Sequence, residues 1–139
     1  MGHPGAGSTI LRRFAGPEAN ELAILCRPDA RLPDAVRQAE AAYRALAALL
    51  ATHQASFRDL TSETLFPRDV RRELPLVLGV RTRVLADLGQ SACAPLPAFI
   101  GQAPVDEGAS FVLLGVGRGA QRSRRLVGTR RPGGAAVRL

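Results

Sequence analysis

The chain has no lysine. All 19 basic residues among its 139 are arginine, a bias of the kind that GC-rich coding sequences produce. Histidine is as sparse: His3 sits in a Gly/Pro-rich leader and His53 at the end of a helical stretch, with no HExxH and no ligand cluster, so no metal site is expected. The two cysteines, Cys26 and Cys93, lie far apart without a CxxC or Cys/His grouping, and each reads as a buried reduced thiol rather than a ligand or half of a disulfide. There is no GxSxG elbow. The glycines of Gly115-Val116-Gly117-Arg118-Gly119 have neither the GxGxxG spacing nor a following helical pattern, and read as a fraying strand end. No cofactor is therefore expected. No apolar run approaches the ~18 residues that cross a bilayer, and the first residues lack the basic-then-apolar layout of a signal peptide. A cytoplasmic protein without a membrane partner is the expectation.

Charge is present but unevenly placed. Residues 1–117 hold 12 arginines and 12 acids, so the formal net charge of +7 lies entirely in the last 22 residues, through Arg118, Arg122, Arg124, Arg125, Arg130, Arg131 and Arg138. Such a tail can bind RNA or acidic surfaces through charge alone. No aromatic residue follows Phe111 to stack a base, and no periodicity suggests folding. The expected organisation is a disordered leader over 1–8, one folded domain over 9–117 and an Arg-rich disordered tail over 118–139.

Within the domain, Thr9–Phe14 and Glu21–Cys26 are apolar runs flanking a turn-rich spacer, which predicts a β-hairpin. From Pro33 to about His53 the residues Val36, Ala39, Tyr43, Leu46 and Leu50 recur at helical spacing, with Pro33 placed for the first turn. Ser62–Pro67 reads as a short strand stopped by its proline. A second helix is expected from Glu73 or Leu74 to Leu88, with Pro75 in its first turn, Leu74, Val77, Leu78, Arg81, Leu85 and Leu88 on one face, and Gly89 ending it. Ala98–Gly101 and Ser110–Gly115 then supply two strands joined by a Gln102–Gly108 turn, where the sheet is expected to fold back on itself. The order strand, strand, helix, strand, helix, strand, strand defines an α+β domain: a mainly antiparallel sheet with two helices on one face. Strand Ser110–Leu114 carries apolar side chains on both sides, so the other face calls for a subunit interface.

The stretch Glu63-Thr64-Leu65-Phe66-Pro67-Arg68-Asp69, the helix ending Arg81-Thr82-Arg83-Val84-Leu85 with Gly89, and Pro97-Ala98-Phe99-Ile100-Gly101-Gln102-Ala103-Pro104 with Gly108 before an apolar strand together resemble the Rid family, the YjgF-like or L-PSP endoribonuclease-like proteins. The resemblance spans residues 9–117. It implies a chorismate-mutase-like fold, a homotrimer packed sheet against sheet, and clefts between subunits that in active members hydrolyse enamines or imines to a keto acid and ammonia.

Carried over residue by residue, the resemblance places Phe99 where the family has the arginine that grips the substrate carboxylate, Gly101 where a cysteine often stands, and about Val112 where a glutamate positions water. A phenyl ring cannot form the two charge-assisted hydrogen bonds of a guanidinium. The remaining cleft candidates are Phe99, Gly101, Gln102, Glu63 and Arg81, a set suited to a neutral or aromatic small molecule. For Gln102 the alternative is a turn side chain capping backbone groups; for Glu63 and Arg81 it is a solvated ion pair. Three readings follow: a homotrimer that binds a small metabolite without deaminase activity, an active deaminase whose carboxylate anchor has moved to Arg81 or Arg12, and an RNA-associated protein acting through the tail.

Overall fold

A computed structural model describes residues 7–91 and 96–119; Cys93 and the tail from residue 120 onward lie outside them. The elements are β1 (Ser8–Phe14), β2 (Asn20–Arg27), α1 (Ala35–Thr52), β3 (Leu60–Pro67), α2 (Val70–Asp87), β4 (Ala98–Phe99) and β5 (Phe111–Gly119), with a short 3-10 turn at Phe57–Asp59 before β3.

Both helices start where a side chain can satisfy their free amides. In α1 the carboxylate of Asp34 accepts from the Arg37 amide at 2.8 Å. Pro33 therefore precedes the cap and is not in the first turn. In α2 the cap is Asp69, whose carboxylate accepts from the Arg72 amide, while Glu73 reaches back to the Asp69 amide at 3.0 Å. This reciprocal pair starts the helix about one turn before Glu73, and it leaves Pro75 inside the helix, not at its first turn. Gly89, at φ +70, ends α2 in the left-handed conformation that favours glycine.

The five strands are ordered β1-β2-β5-β3-β4, antiparallel at every pairing except β3 with β4. The Pro97–Gly108 segment is therefore no hairpin with β5. Its strand shrinks to Ala98–Phe99, which pairs in parallel with Thr64 and Leu65 at the sheet edge. The chain then loops back to place β5 in the middle, between β2 and β3. The physical reason is apolar density: β5 alternates buried and half-exposed positions along its whole length and finds a partner on each side.

β5 also runs further than its glycines suggest. Gly115, Gly117 and Gly119 face the helical layer, and a Cβ on Gly117 would stand 2.7 Å from the Asp59 carbonyl. The 3-10 turn packs directly on the strand there, so the glycines serve close approach and not fraying.

The core fills the space between the sheet and the two helices, with Tyr43, Leu46, Phe57, Leu65, Phe111 and Leu113 fully buried. The second helix contributes Val80 and Val84 to it, which the expected apolar face omitted, whereas Leu88 is exposed. No described element covers the opposite sheet face. Ile10, Phe14, Leu114 and Val116 lie on it with 41–57% of their surface exposed.

Candidate functional site

A pocket of about 270 Å³ opens on the uncovered face. Its floor is Leu25 from β2, Phe66 from β3 and Val112 from β5. Phe66 and Val112 are register partners, and Leu25 pairs with Leu114, so strand alternation alone brings these side chains to one side. Arg27 and Pro28 at the end of β2 form part of the rim, and Gln102–Asp106 with Ala109 form the wall.

That wall is irregular chain, held by one exposed and one buried polar side chain. Arg68, just past β3, donates from Nε to the Ala109 carbonyl at 3.0 Å and from Nη2 to the carbonyls of Asp106 at 2.8 Å and Pro104 at 3.3 Å. Gln38 of α1, 2% exposed, donates to the Gly108 carbonyl at 2.9 Å and accepts from the Ser110 amide at 2.8 Å. One guanidinium and one amide thereby take up loop groups that have no ladder to join.

Of the five residues expected at a cleft, Gln102 lines this pocket. Its amide extends the β3–β4 pairing by donating to the Pro67 carbonyl at 3.2 Å, and its side chain has no hydrogen-bond partner among the described residues, so it caps nothing there. Phe99 is half exposed at the sheet edge, beside Leu65 and hence on the helix side of the sheet. Gly101 packs on the start of α2: a Cβ on it would stand 2.9 Å from Val70 Cγ2.

Glu63 and Arg81 are brought together elsewhere, inside the core on the helix side. Arg81 donates from Nη2 to Glu63 Oε1 at 2.9 Å and from Nε to both carboxylate oxygens at 3.0 and 3.1 Å, and Tyr43 Oη donates to Glu63 Oε2 at 2.6 Å. The pair is buried, with side-chain exposures of 0% for Glu63 and 8% for Arg81, where a solvated pair was the alternative. Burial, followed by the Glu63 charge, pushes the Tyr43 hydroxyl well above its ordinary range. Burial also works against the Arg81 charge, but its hydrogen bonds and attraction to Glu63 more than offset this and raise it.

The sequence reading missed Arg27, Phe66, Asp106, Arg68 and Gln38. Strand alternation carried a signal for two of them, since Arg27 and Phe66 stand at positions opposite to the buried Cys26 and Leu65. The roles of Arg68 and Gln38 depend on contacts 36 to 72 residues away in the chain.

The five-stranded sheet, two helices on one face and open opposite face make this an α+β domain with the fold of the YjgF proteins. No family model matches the sequence, and no curated protein matches it. The likeness is three-dimensional. NMB1025 of Neisseria meningitidis, a member of the YjgF protein family, is 15% identical with a TM-score of 0.61, over 86% of this chain and 99% of its own. E. coli TdcF, solved with bound serine, is 13% identical with a TM-score of 0.60, over 83% of this chain and 91% of its own. Rv2704 of Mycobacterium tuberculosis, described as a member of the YjgF/YER057c/UK114 family, is 13% identical with a TM-score of 0.55, over 80% of this chain and 99% of its own. Among the described residues no helix is long and apolar enough to cross a membrane.

Proposed function

We propose that the chain is a divergent member of the YjgF, or Rid, family that assembles as a cytoplasmic homotrimer and binds a small metabolite in clefts between subunits, without the family's usual enamine or imine deamination. The observation that carries this reading is the pocket's position: it opens on an apolar sheet face that no described part of the chain covers, beside Leu114. A second copy packed against that face would bury the exposed residues and close the pocket at the same time.

The pocket's chemistry supports binding over deamination. Val112, the position at which the resemblance implies a water-positioning glutamate, forms apolar floor, and Phe99 replaces the implied arginine outside the lining. Imine hydrolysis needs a polar group that directs water at the carbon under attack. Neither of those two positions supplies one.

Light scattering on the full chain is the first test, with a trimer expected at micromolar concentration. A strict monomer would remove the inter-subunit cleft. Imines generated in situ by an amino-acid oxidase test the chemistry: keto-acid release is expected at the uncatalysed rate, and acceleration in proportion to added protein would overturn the non-catalytic reading.

A further inference from the structure

The sheet has two edges, and they are not alike. At one edge β4 is two residues long and follows Pro97, so it offers little to a further strand. At the other, β1 runs for seven residues, pairs with β2 without a bulge and contains no proline. No described strand lies on its outer side. Alternate residues of β1 therefore turn a peptide N–H and C=O outward with no ladder to join.

What fits beside β1 follows from its side chains. Thr9 and Leu11 face the helical layer, Thr9 against Cys26 Sγ at 3.4 Å and Leu11 against the core. A hollow of about 380 Å³ lies between the start of the strand and the flank of α1, where Ser8 and Thr9 meet Ala41, Ala45 and Leu49. Side chains as short as alanine leave that space unfilled, and a side chain set opposite Thr9 by an added strand points to the same side. Charge narrows the choice further. Arg12 and Arg13 are exposed, β1 carries no acid, and neither arginine forms an ion pair among the described residues; Arg13 donates from Nη2 to His53 Nδ1 at 3.0 Å. Opposite charges across a strand pair stabilise it, and like charges oppose it. A second copy paired through β1 would bring four arginines to one short junction, so the edge disfavours its own kind.

We propose that the outer edge of β1 is a docking site for an extended acidic segment of another protein. The segment adds to the sheet antiparallel to β1, with consecutive acids opposite Arg13 and Arg12 and small or branched apolar residues opposite Leu11 and Thr9. The ladder supplies affinity that does not depend on sequence, and the two arginines and the hollow select the segment. Docking there requires neither the pocket on the open face nor a trimer.

The test titrates three capped hexapeptides, TEEVTV, its lysine counterpart TKKVTV and TEEPPV, into the full chain and follows its backbone amide resonances. Two adjacent prolines remove at least one ladder N–H whichever residues face β1. TEEVTV is expected to bind roughly tenfold more tightly than TKKVTV, with shifts concentrated in residues 8–14 and 41–49, and TEEPPV should not bind. Arg12→Glu with Arg13→Glu should invert the preference. Arg71→Glu with Arg72→Glu, the same change of charge on the exposed start of α2, should leave it intact. The comparison of peptides in the wild type stands whether or not either double variant folds. Equal binding of TEEVTV and TKKVTV would overturn the acidic partner, and undiminished binding of TEEPPV would overturn strand addition. Inversion by the α2 variant as well would reduce the effect to net charge and overturn the site. Shifts at residues 8–14 that grow with protein concentration alone would make a second copy the occupant and overturn the peptide. No binding of any peptide at millimolar concentration would overturn the docking site and leave Arg12 and Arg13 as guards against edge pairing.

Discussion

Glu63 has three donor contacts from the Arg81 side chain and one from the Tyr43 hydroxyl, all in a volume closed to water. Substituting Glu63→Gln leaves the Arg81 charge buried without its counterion, and removing one partner of a buried pair costs about 3–5 kcal/mol. Chemical denaturation should register that loss. The joint replacement Glu63→Leu with Arg81→Met should recover most of it, since apolar side chains of similar size remove the desolvation cost along with the attraction. Tyr43 adds a pH dependence. Its hydroxyl is held above the ordinary value of 10.0 in the folded chain and titrates near that value when unfolded. A group whose folded pKa is raised contributes stability that is complete below the unfolded pKa and is lost as pH rises past it. Melting temperature should thus fall from about pH 10 upward, and the fall should be shallower in Tyr43→Phe. Sequence spacing placed Tyr43 on the buried stripe of α1, and it offered Glu63 and Arg81 as possible partners. What decided their location was the bulge in β3 at Leu60/Ser62 together with the facing turn of α2, neither of which has a local sequence mark.

At the scale of elements, the wall of the pocket from Gln102 to Ala109 has no strand of its own and depends on what reaches it from β3 and α1. Arg68→Ala removes three donor contacts to that wall, each to a carbonyl that is then left to water. The expected cost is about 1–2 kcal/mol of global stability, because the site is half exposed. Hydrogen exchange over residues 102–109 should accelerate, while protection in β2 and β5 stays as in the wild type; equal acceleration everywhere would mean that Arg68 supports the whole fold instead. Element order and both helices were legible from apolar spacing and from Gly89. Both helices start at their side-chain caps, Asp34 and Asp69, and not where Pro33 and Pro75 point. The pairing of β4 was misplaced for a different reason: two neighbouring strands in a sequence suggest a hairpin, and the parallel alternative becomes visible once β5 has claimed the central position.

For the whole molecule, the open sheet face is the feature that joins fold to function. Leu114 and Val116 lie on it, on the central strand, each with about two fifths of its surface exposed. Leu114→Glu places a charge in the middle of the proposed subunit contact and leaves the helix-facing core untouched. It should yield a folded monomer by light scattering, with the far-ultraviolet circular dichroism of the wild type; a trimer that persists would mean that the copies meet through another surface.

By itself the sequence determined the α+β class, the order of strands and helices, the buried stripes and the apolar character of both sides of β5, because these follow from spacing and residue type along one element. It also marked Gln102, whose place in a loop after the edge strand put it beside whatever cavity the sheet makes. Tertiary structure alone decided the rest. It paired β4 with β3, sealed Glu63 and Arg81 in the core, turned Phe99 away from the pocket and left Arg27 exposed at its rim. Those outcomes depend on which strands become neighbours, and strand neighbours are chosen by burial summed over the whole sheet, a quantity that no local window contains.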